Sequence, residues 1–242
     1  MEPIPAHDTQ SAHILGVLGG MGPLASAHFM TRLTLLTPAA RDQDHIPAVL
    51  WSDPRVPDRG AAGHGGADPL PFLLRGVSGL VAAGCTAIAI PCNTAHGWYR
   101  PMQAATTVPV LHIVEATATA LAAAAPAPGL VGVMGTATTL AMRLYQDRLE
   151  ALGWLTATPT DDEMERLVTP AIRAVKANEV KAAWPLLAEA VTRLADRGAV
   201  AVVLGCTEIP LGIQAGPWQS LPVPLVDTID ALALAAIAWA RS

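Results

Sequence analysis

The sequence predicts an α/β protein made of two similar parallel-sheet halves, related by pseudo-twofold symmetry, with a ligand cleft between them. Three observations carry this. A strand, Ile14-Leu15-Gly16-Val17-Leu18, runs through a Gly-rich turn into a helical stretch, the opening of a parallel α/β sheet. A near-copy of that unit begins at Gly129. Landmarks of the first half then recur in the second at almost one offset, which marks an internal duplication.

In chain order, residues 1–12 read as a flexible tail. Met1 to His13 is polar and Pro-containing, with neither the basic start nor the apolar core of a signal peptide. The first half spans residues 13–121. Its opening strand meets the turn Gly19-Gly20-Met21-Gly22-Pro23 and then a helix from Leu24 to about Thr37. Leu80-x-x-x-Gly84 precedes an apolar strand, Ala87-Ile88-Ala89-Ile90, that ends at Cys92, and Val108-Pro109-Val110-Leu111 begins a further strand and helix. Residues 122–128 are a linker, because Pro126 and Pro128 break the helix before them. The second half, 129–242, repeats the order. Leu130-Val131-Gly132-Val133-Met134 is its strand, Gly135-Thr136-Ala137-Thr138 its turn, and a helix runs from Thr139. Leu194-x-x-x-Gly198 precedes Ala201-Val202-Val203-Leu204 and Cys206, and Val223-Pro224-Leu225-Val226 starts the last unit, whose C-terminal helix is expected to pack back on the first half. The offsets are 116 residues for Gly16 and Gly132, 114 for Cys92 and Cys206, and 115 for Val108 and Val223.

Composition narrows the function classes. Of 242 residues, 52% are hydrophobic and 14% charged, the balance of a packed globule. The net charge is −5 and no Lys/Arg block occurs, so a nucleic-acid partner is excluded for want of a basic face. The longest apolar runs, Ala118–Ala125 and Ala231–Ala240, fall short of the roughly 20 residues a membrane span needs. Three cysteines, an odd number, argue against a disulfide framework and for a cytoplasmic protein with reduced thiols.

Ligands of parallel α/β sheets sit beyond the C-terminal ends of the strands. Cys92 and Cys206 occupy equivalent strand ends, one per half, and so are positioned to approach one ligand from opposite sides. Cys92 lies in Pro91-Cys92-Asn93-Thr94-Ala95-His96 and Cys206 in Gly205-Cys206-Thr207-Glu208-Ile209-Pro210, each between a strand and a helix start. Helix N-terminal amides favour a thiolate and are expected to bring both thiols toward neutral pKa, ready to move protons. The alternative at each position is a buried core thiol. Cys85 serves as a control: it precedes its strand, its repeat counterpart is Ala199, and it reads as structural.

These motifs, with Gly19-Gly20-Met21-Gly22-Pro23-Leu24-Ala25, Arg41-Asp42-Gln43-Asp44-His45 and Pro57-Asp58-Arg59, resemble the aspartate racemase branch of the aspartate/glutamate racemase superfamily, from about residue 13 to the C-terminus. The resemblance implies racemisation of an amino acid, aspartate first, without pyridoxal phosphate or any other cofactor. One cysteine would remove the Cα proton and the other would reprotonate the opposite face. The two lysines, Lys176 and Lys181, stand in no recognisable pyridoxal-phosphate setting, which agrees. The resemblance further implies that Asn93, Thr94, the Ala95 amide, Thr136 and Thr207 hold the substrate's α-groups, that Met21 joins the substrate-binding set, and that Arg59 and Lys176 hold a side-chain carboxylate. It implies a homodimer and a small amino acid as the partner. Cys92 and His96 have helical metal spacing, but with no further clustered ligands no metal is expected. Departures are Gly60 after Pro-Asp-Arg, a Gly-rich Gly60–Asp68 segment, and Ala177-Asn178 after the lysine, where Asn tolerates left-handed backbone. They bear on side-chain specificity.

Other readings stay open at this point. Glutamate or a broad amino-acid set would suit the same site, and superfamily relatives isomerise or decarboxylate, although decarboxylases dispense with one of the two cysteines. A binding protein that has lost turnover would keep the cleft. Gly20-x-Gly22-x-x-Ala25 loosely fits a dinucleotide fingerprint but lacks a well-placed acidic residue after the second strand. His96 either modulates Cys92 or packs, and Glu208 either serves Cys206 or favours a helix N-terminus.

Overall fold

The computed structural model describes residues 13–62, 65–125 and 127–242; the expected tail at 1–12 lies outside them. The first half runs β1 (Leu15–Gly19), α1 (Pro23–Leu36), β2 (Ala48–Ser52), α2 (Leu70–Ala82), β3 (Ala87–Ala89), α3 (Tyr99–Ala104), β4 (Val110–Leu111) and α4 (Ile113–Ala124). The second runs β5 (Leu130–Gly135), α5 (Ala137–Ala141), α6 (Leu144–Ala151), β6 (Leu155–Ala157), α7 (Asp161–Glu163), α8 (Thr169–Lys176), α9 (Val180–Asp196), β7 (Ala201–Gly205), α10 (Ile209–Gln214), β8 (Leu225–Asp227) and α11 (Thr228–Ala240).

The strand orders are β2-β1-β3-β4 and β6-β5-β7-β8, every pairing parallel. The two α/β halves therefore share one topology, as the offsets predict. The central strands β1 and β7 are buried at every residue, which explains why they read as apolar runs without alternation.

Two boundaries differ from expectation. Helix α4 continues to Ala124, into the segment read as linker, because the alanine run carries helix until Ala125 leaves helical backbone. Helix α5 starts at Ala137 rather than Thr139, because the Thr136 hydroxyl caps it by accepting from the Thr139 N–H at 3.1 Å. Arg143, at φ 51°, then separates α5 from α6.

One core joins the halves. Helices α4 and α11 pack on each other; α4 also reaches β7 and β8, and α11 reaches α1 and β4. Phe29, Leu121, Tyr145, Ile229 and Leu232 belong to this shared cluster. The Arg32–Asp230 pair ties α1 to α11 at 2.5 Å. Separate clusters fill the outer faces of the sheets, one holding Cys92 and the other Cys206. No helix among the described residues is long and apolar enough to cross a membrane.

Candidate active site

In each half the chain passes from the first strand outward to the second, then returns to the other side for the third. The switch points lie between β1 and β3 and between β5 and β7, the places where such sheets take ligands. Four strand-end segments flank them: the Gly-rich turn after β1, Cys92 beyond β3, Thr136 after β5 and Cys206 after β7. Both cysteines, each 5% exposed, line one cavity of about 370 Å³, within the usual range for small-molecule sites. Each belongs to the apolar cluster of its own half, and both reach this one cavity.

Of the remaining sequence-predicted residues, Met21, Arg59, Asn93, Thr94, Thr136, Lys176 and Thr207 line that cavity. Ala95 does not: its side chain is fully buried, and its backbone N–H is directed to the Cys92 sulfur. The two cations come from equivalent crossovers, Arg59 from the segment joining β2 to α2 and Lys176 from the segment joining β6 to α9. One crossover is a loop and the other contains α8, so no repeat was legible there. Asn178 takes φ 65°, the left-handed turn its type permits, and ends the lysine's helix.

The expected depression of both thiol pKa values is not what the fold produces. Burial pushes Cys92 up, with the charges of Arg59 and Lys176 and the Ala95 amide working against it and Glu208 reinforcing it. Burial pushes Cys206 further, well above its ordinary value, and Glu208 adds to it through its charge and a hydrogen bond. Helix-terminal amides act in the predicted direction, but desolvation by burial outweighs them. The Cys206 S–H donates to Glu208 Oε2 at 3.0 Å. Glu208 Oε1 is buried and has no partner among the described residues.

The Gly-rich turn has a steric rationale. At Gly20, φ is +89° and an added Cβ would stand 2.4 Å from the Asp53 backbone; at Gly22 it would crowd Glu208 Oε1 at 3.0 Å. The turn lets the chain pass close to the second half's carboxylate, a role unrelated to a pyrophosphate.

Polar side chains knit the halves across the cleft floor. The Thr94 hydroxyl lies 3.1 Å from that of Thr136 and 2.8 Å from that of Thr139. The Asn93 carboxamide accepts from the Tyr145 hydroxyl and donates to Thr228 Oγ1 at 3.1 Å, and Thr228 donates to the Leu204 carbonyl at 2.9 Å. Asn93 is thus largely spent on holding the two cysteine strands together. His96 resolves toward packing: its Nε2 accepts from the Ile113 N–H at 3.2 Å, which leaves Nδ1–H to donate to the Cys92 carbonyl at 2.9 Å. Burial pushes its pKa down to about 4, so it is a neutral strut and its ring nitrogens are not available to a metal.

Arg59 is pinned by carbonyls. Its Nη1 donates to Val56 and Pro57 at 3.2 and 3.0 Å, and Nη2 to Met21 at 2.8 Å. Its buried Nε has no partner among the described residues. Asp58 stands beside it. Burial works against the Asp58 carboxylate, yet the amides of Gly60 and Ala61 and the Lys176 charge hold its pKa below the usual value. The sequence reading missed Asp58, Thr139, Tyr145, Thr228 and Arg173. Two of them had a signal: Asp58 stands inside the Pro57-Asp58-Arg59 motif, and Arg173 lies on one helix face, since Thr169, Ile172, Arg173 and Lys176 fall at i, i+3, i+4 and i+7 and all line the cavity.

Comparison with known proteins bears on this site. The family model of Asp/Glu/Hydantoin racemase matches residues 18–236. The broad specificity amino-acid racemase RacX of Bacillus subtilis is 29% identical over 231 residues, covering 91% of this chain and 95% of that protein. Picrophilus torridus aspartate racemase superimposes with a TM-score of 0.83 at 30% identity, over 95% of this chain and 94% of its own. A glutamate racemase from Francisella tularensis, in complex with D-glutamate, shares the fold at a TM-score of 0.69 and 17% identity, covering 94% of this chain and 81% of that one.

Proposed function

This chain belongs to the Asp/Glu/hydantoin racemase family, and on that premise we propose that it interconverts the L and D forms of an acidic amino acid, aspartate first, by two-cysteine proton transfer without a cofactor. The observation that carries the reading is the opening of Cys92 and Cys206 onto one cavity that also contains Arg59 and Lys176.

The chemistry follows from the two surroundings. A thiolate on one wall takes the Cα proton and becomes a thiol, while the thiol on the other wall gives its proton to the opposite face and becomes a thiolate. Charge is conserved and the product has inverted configuration. Glu208 is the acceptor to which the Cys206 proton moves when that sulfur acts as base. Cys92, facing no carboxylate of its own turn, relies on Arg59 and Lys176 to stabilise its anion. Arg59 and Lys176, both lining the cavity, are left for a side-chain carboxylate, and Thr94, Thr136 and Thr207 for the α-groups. Asn93 retains one amide hydrogen for the same purpose.

A broader substrate range is the second reading. It is favoured by an adjoining cavity, also of about 370 Å³, that shares Met21, Asp58, Arg59, Lys176 and Glu208 with the first. Incubation with L-aspartate, L-glutamate and a set of neutral amino acids in deuterium oxide, without added cofactor, separates the readings. Deuterium at Cα with loss of optical activity is expected for aspartate. No exchange with any amino acid would sink the proposal. The homodimer implied by the resemblance is checked by sedimentation of the same preparation.

A further inference from the structure

Helix α8 turns one face to the cleft, and that face carries two cations a turn apart. Lys176 has a counter-charge, since it is among the groups that lower the Asp58 pKa. Arg173 has none: it is exposed, lines the cysteine cavity, and makes no ion pair or hydrogen bond with a described residue. Most arginines of this chain are spent otherwise, as in the pairs Arg32–Asp230, Arg55–Asp53 and Arg197–Glu163. An uncompensated guanidinium at the wall of a cavity presents a planar fork suited to a carboxylate. Residues three apart on a helix stand about 5–6 Å apart at Cβ. The charge of Lys176 acts on both sulfurs and that of Arg59 on Cys92, whereas Arg173 is not among the main charges acting on either; the two cations of the helix therefore offer successive stations, Lys176 with Arg59 at the first and Arg173 at the second.

We propose that Arg173 is a specificity-determining residue, holding the distal carboxylate of acidic amino acids longer than aspartate. The cleft then serves dicarboxylic amino acids as a class graded by length, with the aspartate carboxylate held at Arg59 and Lys176 and the glutamate carboxylate drawn on toward Arg173. This rests on the reading of the cleft as an amino-acid site.

The test is R173Q, with R173K as the conservative control. Arg173 is exposed, so the fold is expected to survive either change. The KM for L-glutamate is expected to rise at least about tenfold in R173Q, as for the loss of a charged hydrogen bond. The KM for L-aspartate is expected to rise less than about threefold, as for a screened exposed charge, and R173K to recover part of the glutamate loss. Equal KM changes for both substrates, or none, would overturn the assignment. A binding arm is independent of turnover: calorimetric titration with succinate and glutarate. R173Q is expected to weaken glutarate selectively, and equal weakening, or none, counts against the proposal. If the parent protein exchanges no Cα proton yet shows the Arg173-dependent preference for glutarate, the racemase reading fails and the specificity assignment stands. If racemisation proceeds and R173Q does not distinguish the two lengths, the reverse holds.

Discussion

The two cysteine turns occupy equivalent strand ends and are built differently. After β3, Cys92 leads into a short 3-10 helix, Thr94–Trp98, and the turn is fastened by His96. After β7, Cys206 leads into α10, and the residue equivalent to His96 is Pro210, in its first turn. Two residues past each cysteine the contrast sharpens. The Thr94 hydroxyl reaches across to Thr136 and Thr139 of the other half, whereas the Glu208 carboxylate turns back onto its own Cys206. Duplication supplied two matched positions for sulfur; divergence around them separated one that leans on neighbouring cations from one that has a carboxylate for its proton. The proposed two-cysteine mechanism needs the positions matched, because it attacks the two faces of one carbon, but it does not need identical surroundings.

The comparison is broken most severely by removing either sulfur. C92A and C206A are each expected to lose racemisation by about a thousandfold or more, the scale of a proton-transfer group, measured by polarimetry with L-aspartate. Racemisation at the parent rate in either variant would end the two-cysteine mechanism.

The histidine strut distinguishes the first half by pH. Because the His96 pKa lies near 4 in the fold against about 6.5 unfolded, its contribution to stability is present above pH 6.5 and lost as pH falls toward 4. The loss amounts to about 3 kcal/mol across that window. Urea denaturation at pH 7, 5.5 and 4 reads it, and H96N is expected to flatten the acid limb. An acid limb identical in H96N would remove His96 from this account.

Glu208 distinguishes the second half. In E208Q the charge that raises the Cys206 pKa is gone, so the alkylation profile of Cys206 is expected to move to lower pH and that of Cys92 to move less. The value of kcat is expected to fall about ten- to a hundredfold if Glu208 is the acceptor proposed for the Cys206 proton. Mass spectrometry of iodoacetamide-labelled peptides follows each thiol separately; shifts of equal size would erase the asymmetry.

The smallest effect is at the bridge between the halves. Y145F leaves Asn93 Oδ1 without its buried donor and is expected to cost about 1–3 kcal/mol of stability by denaturant titration. No change would mean that the bridge does not help hold the halves together.

Much of this molecule was legible before it was folded. Runs such as Leu15–Gly19 and Ala201–Gly205 announce buried central strands, and the near-constant offset places Cys92 and Cys206 at equivalent strand ends. The motifs around Arg59 and Lys176 marked residues that line the same cavity. Less legible were Thr139, Tyr145 and Thr228, ordinary polar residues in unremarkable contexts until partners from the other half meet them. The thiol pKa values were misjudged because a helix start is a local feature, whereas desolvation depends on everything packed around the sulfur.

By itself the sequence determined which elements form, how they repeat, and which side chains stand at the ends of strands, since backbone periodicity and residue type act over a few positions. The tertiary structure alone decided which groups share the cleft and which face one another across it. It set Tyr145 on Asn93, Thr94 on Thr136 and Arg173 at the wall without a counter-charge among the described residues, because burial and Coulomb interactions act through space between segments far apart in the chain.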